Sequence, residues 1–108
     1  MPDQSPRETT EEMRGVIQAP RFARSKRKLP SSVQREVDEE VKKIVVNPLA
    51  GEPKTGALKG IRVVKFKGGP LQLLLAYQFN PKRNLVEVLD VRPHENLYRD
   101  LERCLGSR

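Results

Sequence analysis

The sequence predicts an α+β domain: an antiparallel sheet of three to four strands, two N-terminal helices packed on one face of it, and a short C-terminal helix. Three observations carry this expectation. Val33, Val37, Val41, Ile44 and Val45 recur at the spacing of one helix face. Three β-branched or alternating segments follow between positions 61 and 91, joined by tight turns. Leu97, Leu101 and Leu105 then fall four apart, which predicts a final helix over residues 94–105.

Each element has its own local reason. Residues 16–19 form a short strand that stops at Pro20. Residues 21–29 hold Arg21, Arg24, Lys26, Arg27 and Lys28 around Phe22 and Leu29, a short basic helix ended by Pro30. Ser31 and Ser32 offer an N-cap for the long helix, and Ser32 with Arg35 and Glu36 nearly completes a capping box. Asp38 with Lys42 and Glu39 with Lys43 are acid-before-base pairs on its outer face. The helix should end near Asn47, because Pro48 disfavours helical geometry before it. Residues 48–60 read as a Gly/Pro loop. Residues 61–67, 71–79 and 85–91 read as strands, turning at Gly68-Gly69-Pro70 and at residues 80–84. The middle strand is apolar on both faces, which puts it at the centre of the sheet. The helices cover one face, and the other stays partly open.

A chain of 108 residues is expected to form one domain, here residues 14–108, preceded by a flexible tail over residues 1–13. Met13 offers an alternative translation start. The tail sets Asp3, Glu8, Glu11 and Glu12 against Arg7, a net −3, so residues 14–108 carry +10 where the whole chain carries +7. A small domain with that excess implies an anionic partner, a nucleic acid or an acidic protein. The single cysteine, Cys104, excludes an intrachain disulfide and suits a reducing compartment. One His and one Cys exclude a structural zinc site of the usual kind, and no metal or cofactor is expected. The longest apolar run, residues 73–77, is too short to span a bilayer, and the N-terminus lacks an apolar signal core. The expected location is cytoplasmic, with no membrane partner.

Candidate chemistry gathers towards the open sheet face. Arg62, Lys65 and Lys67 lie on the first strand of the sheet meander, and the two lysines, two residues apart, project to the same side. Arg92 lies just past the last strand. His94 and Tyr98 are four apart on one face of the final helix. Cleaving RNA without metal requires deprotonation of the 2′-hydroxyl, stabilisation of the crowded phosphate, and protonation of the leaving 5′-oxygen. Lysine and arginine supply the charge, histidine carries a proton near neutral pH, and tyrosine stacks on a base or orients a phosphate. Each residue also has a plainer role: edge-strand lysines that resist aggregation, a histidine capping a helix, a tyrosine anchoring one. The reading rests on their joint placement.

The order FARSKRKLP, an amphipathic helix, NP with a Gly-rich loop, LKGIRVVKFKGG, LLLAYQF and VLDVRPHENLYRDL resembles the RelE/ParE toxins of type II toxin–antitoxin systems, over positions 22–105. The resemblance implies a ribosome-dependent mRNA endonuclease, with Lys65 and Lys67 matching the family's lysines and Arg92 and Tyr98 its arginine and tyrosine, six apart. Related branches use a histidine four residues before a closing aromatic, which His94 and Tyr98 match. One departure stands out. Many family nucleases carry an arginine on the central strand where this chain has Leu74, and Gln72, two residues earlier on the same face, brings no charge. The resemblance therefore implies Lys65, Lys67, His94 and Tyr98 as catalytic groups and Arg62, Gln72 and Arg92 as RNA or phosphate contacts. It implies as partners an antitoxin with an acidic amphipathic segment, mRNA and the ribosome. The alternative it leaves open is a non-nuclease that inhibits DNA gyrase, as the ParE branch does.

Overall fold

A computed structural model describes residues 14–93. The predicted tail over 1–13 and the predicted C-terminal helix over 94–105 lie outside the described residues. Within them the order is β1 (Gly15–Gln18), α1 (Pro20–Arg27), α2 (Ser31–Val46), β2 (Glu52–Pro53), a 3-10 turn (Gly56–Leu58), β3 (Arg62–Gly68), β4 (Leu71–Asn80) and β5 (Leu85–Pro93).

The sheet has five strands in the order β1-β5-β4-β3-β2 and is mixed, which corrects the expected antiparallel sheet of three to four strands. β3, β4 and β5 form the antiparallel meander read from the sequence, with β4 in the middle. β1 adds in parallel to β5, Gly15 opposite Leu85 and Gln18 opposite Val88. Two residues of the expected loop add as β2, Glu52 opposite Val63. β1 stops at Gln18, so the edge of β5 beyond Val88 is left to α1, which packs against it; the Ala19 N–H donates to the Val88 carbonyl as the chain turns into the helix.

α2 follows its apolar stripe. Val33, Val37 and Ile44 are buried and Val41 packs against the same core. Its beginning differs from the expected cap. Pro30 takes the N-cap position in extended geometry and no side chain caps the helix. Pro30 supplies the first helical acceptor to Gln34 N, and the Gln34 side chain reaches back to the Leu29 carbonyl, so Ser31 and Ser32 fall inside the first turn. The surface ion pairs also shift register: Lys42 meets Glu39 at 3.4 Å and Lys43 meets Glu40 at 3.2 Å, i,i+3 pairs in place of the i,i+4 pairs expected. Both are solvated and contribute little.

β4 divides the interior into two cores. Leu75 and Tyr77 lie under the helices with Phe22, Val37, Ile44, Val86, Val88 and Val91. Leu74 and Ala76 face the other way, into a smaller core with Leu58, Ile61 and Val63, against which Leu89 packs. The sheet face away from the helices is therefore only partly open, and what covers its other part is this second core. Ile61, Val63, Leu74 and Ala76 are too apolar to be left in water, and the 3-10 turn brings Leu58 across them.

The chain passes from the helix side to this second face through one polar knot. The Tyr77 hydroxyl donates to the Pro48 carbonyl at 2.8 Å and accepts from the Gly51 N–H at 2.9 Å. Arg62, opposite Tyr77 on β3, donates from Nη1 to the carbonyls of Leu49 at 3.1 Å and Gly51 at 2.7 Å. Position 51 must be glycine for this: a Cβ there would sit 2.7 Å from the Tyr77 hydroxyl. Burial pushes the Tyr77 hydroxyl above its usual pKa, while the Gly51 hydrogen bond and the Arg62 charge pull it back.

The knot predicts a stability effect with a definite pH sign. Because the folded value is raised, the neutral hydroxyl favours the folded state fully below pH about 10, and this contribution is lost as pH rises through the folded value. Tyr77→Phe leaves two buried backbone groups without a partner and is expected to cost about 2 kcal/mol at pH 7. It should also abolish the part of the alkaline stability loss above pH about 10 that belongs to this residue. Chemical denaturation at pH 7 and at pH 10.5, in both proteins, checks both effects.

Candidate nucleic-acid interface

Strand alternation and register together build a cationic row on the face away from the helices. Lys65 stands opposite Leu74 on β4, and Leu74 stands opposite Arg92 on β5. Two strand spacings separate the Lys65 and Arg92 backbones, about 10 Å. The next row begins with Lys67 opposite Gln72. Lys65, Lys67 and Gln72 are exposed, Arg92 is half-buried, and Leu74, 1% exposed, forms the apolar floor between the cations. The uncovered end of this face therefore holds three cations and one amide around a leucine.

Arg62 does not belong to this group. It is three residues from Lys65, an odd interval, so it projects from the opposite face of β3. There its guanidinium is committed to the Leu49 and Gly51 carbonyls. The grouping of Arg62 with the two lysines is corrected on this point. His94 and Tyr98 lie outside the described residues. His94 is covalently adjacent to Pro93, which pairs with Leu73 at the same end of the sheet.

The sequence reading missed what holds Arg92. Ala76 pairs with Asp90 while its neighbour Tyr77 pairs with Val88, so Leu89 is an extra residue and β5 carries a bulge there. Leu89 packs into the smaller core. Asp90, fully buried, turns to α1: its Oδ1 accepts from Ser25 Oγ at 2.7 Å and from the Val91 N–H at 2.8 Å, and its Oδ2 accepts from Arg21 Nε at 2.7 Å. Arg92 Nε lies 3.2 Å from the same Oδ2. The available signal was an acid inside the apolar run LVEVLDV, which no alternation places in water.

Among the described residues no cluster of His, Cys, Asp and Glu could hold a metal ion. Nor is any described helix long and apolar enough to cross a membrane.

A family model described as the ParE-like toxin of type II bacterial toxin–antitoxin systems matches residues 16–102. The chain belongs to this family of toxins. No significant match was found among curated protein sequences. The fold is that of RelE. An E. coli RelE double mutant in the free state superposes with a TM-score of 0.69 at 18% identity, covering 88% of this chain and 96% of that one. The toxin–antitoxin complex RelBE2 from Mycobacterium tuberculosis gives 0.66 at 22% identity, with 74% and 96% covered. The intact E. coli RelBE toxin–antitoxin complex gives 0.62 at 19% identity, with 74% and 95% covered.

The two faces of β3 predict different behaviour in the toxin. Lys65→Ala and Lys67→Ala are each expected to lower the salt dependence of binding to a single-stranded RNA oligonucleotide, by about 0.7 in the log–log slope. Arg62→Ala should leave that slope unchanged and instead lower the melting temperature. Fluorescence-anisotropy titrations at four salt concentrations, with a thermal melt of each variant, check this.

Proposed function

We propose that this toxin is a metal-independent endoribonuclease that cleaves mRNA in the ribosomal decoding site. The single observation that supports it best is the row Lys65–Leu74–Arg92, backed by Lys67 and Gln72, at the uncovered end of the sheet. Attack by the 2′-hydroxyl leaves a 2′,3′-cyclic phosphate and a free 5′-hydroxyl. Lys65 and Lys67 neutralise the charge that builds on phosphorus, Arg92 contacts the phosphate, and Gln72 donates its amide N–H to a phosphate oxygen. Leu74 leaves the central strand without the arginine found at this position in many family nucleases. Proton transfer then falls to His94, with Tyr98 stacking on a base or orienting the phosphate.

The same cationic face explains how the toxin would be silenced. RelBE complexes pair such a fold with an antitoxin. A cognate antitoxin with an acidic amphipathic segment fits a body carrying this excess of positive charge. A second reading, a ParE-like inhibitor of DNA gyrase, draws on the uncharged Leu74: a site that only binds needs no arginine at its centre.

Induction in bacteria followed by mapping of mRNA 5′ ends separates the two. The expected result is cuts in translated mRNA that follow codon position, with intact DNA. DNA breaks with intact mRNA would overturn it in favour of gyrase. His94→Ala and Lys67→Ala are each expected to cut cleavage at least about 100-fold, within the range of general acid–base and charge-stabilising groups. Full toxicity in both would remove these residues from the site.

A further inference from the structure

Asp90 is the one carboxylate buried in the described body, and it lies next to the cation of the site that sits at the end of β5. A buried carboxylate is costly unless its oxygens are satisfied, and here the satisfaction comes from groups that tie α1 to β5. Arg21 and Ser25 stand one turn apart on α1 and grip Oδ2 and Oδ1. The Val91 N–H bonds to Oδ1, closing the carboxylate onto its own strand. Arg92 approaches Oδ2 from its Nε side. Hydrophobic packing alone would favour a valine or leucine at this position of β5. Asp90 keeps the parity of Val86 and Val88, which face the helices; the bulge at Leu89 shifts the strand beyond it, so that Val91 joins the helix-side core and Arg92 stands opposite Leu74.

A guanidinium is planar, with its five N–H groups in a fixed fork. The Asp90 charge 3.2 Å from the buried Nε, an ion-pair contact without hydrogen-bond geometry, attracts this edge of the guanidinium and restrains where the group sits. A free arginine side chain carries considerable rotamer entropy, which is lost when it must find its geometry at the moment of binding. Asp90 is itself immobile, anchored by α1, so that loss has already been met in the folded toxin.

We propose that Asp90 is a positioning residue for phosphate recognition: braced by Arg21 and Ser25 of α1, it holds the Arg92 guanidinium at the β5 end of the Lys65–Leu74–Arg92 row. This rests on the reading that Arg92 contacts the RNA phosphate. It adds that the first helix, remote from the chemistry in sequence, sets the geometry of the site through one carboxylate.

A double-mutant cycle on the full chain, with purified ribosomes and a defined mRNA, tests it through single-turnover cleavage rates. Asp90→Asn keeps acceptors for Ser25 and Val91 but removes the charge facing Arg92. It is expected to slow cleavage about tenfold in the parent and to have no effect in an Arg92→Ala background, because the two act as a unit. Tyr77→Phe, which breaks the remote knot and touches neither Asp90 nor Arg92, controls for stability: it should lower the melting temperature and slow cleavage less than threefold. An equal slowing by Asp90→Asn in both backgrounds would make the residue merely structural and overturn the proposal. If Asp90→Asn does not fold, Arg92→Lys decides. Lysine keeps the charge but has no Nε fork to align, so a loss close to that of Arg92→Ala is expected, and parental rates would overturn the proposal. Arg92→Ala cleaving at the parental rate would instead remove Arg92 from the site, sinking the functional reading and the inference together, whereas additive effects with a slow Arg92→Ala sink the inference alone.

Discussion

A central strand that is apolar on both sides must be covered on both sides, and the architecture of this toxin follows from that constraint. Leu73, Leu75 and Tyr77 of β4 alternate with Leu74 and Ala76, and all five are buried. α1 and α2 cover the first set. No helix is spent on the second among the described residues; a 3-10 turn carries Leu58 across it, reached by way of the knot around Tyr77, Gly51 and Arg62. Leu58 covers a limited area. The Gly69 end of the same face is left to Lys65, Lys67 and Gln72, and it is there that an anionic strand can lie. The candidate site is thus the part of the sheet that the packing does not use.

The same economy explains why the cations are spread and not clustered. Lys65 and Arg92 are separated by the width of a strand whose middle residue, Leu74, belongs to the core. A lone charge at position 74 would have to be desolvated against Leu58, Ile61 and Val63. Charge is therefore placed at both flanks, where solvent reaches, and the flank nearer the interior is the one with a buried counter-charge. Asp90 answers both Arg21 and Arg92, which lets two cations approach each other beside an apolar strand.

Much of this was legible in the sequence, for reasons that differ by element. The stripe of α2 and the two-faced apolar run of β4 are periodic signals, and periodicity survives folding because burial enforces it. The parallel partner β1 was not legible as such: its pairing with β5 joins residues about seventy apart, and four residues carry no sign of direction. β2 is two residues long, below any pattern. Parity puts the lysine pair on one face of β3 and Arg62 on the other, and closeness in sequence does not by itself reveal that split. Asp90 shows the limit most clearly. An acid in an apolar strand signals a buried partner, but the partners, Arg21 and Ser25, are some sixty-five positions away, and the bulge that then sets the face of Arg92 is a backbone event with no residue type of its own.

The central claim is that RNA lies across the Lys65–Leu74–Arg92 row, on the sheet face away from the helices. Backbone amide chemical-shift mapping of the full-length toxin during titration with a single-stranded RNA oligonucleotide tests it most directly. The account predicts saturable shifts concentrated at Lys65, Lys67, Gln72 and Arg92, with the exposed face of α2 unchanged. Shifts that instead gather on α2, or at Lys82 and Arg83 in the β4–β5 turn, would contradict it.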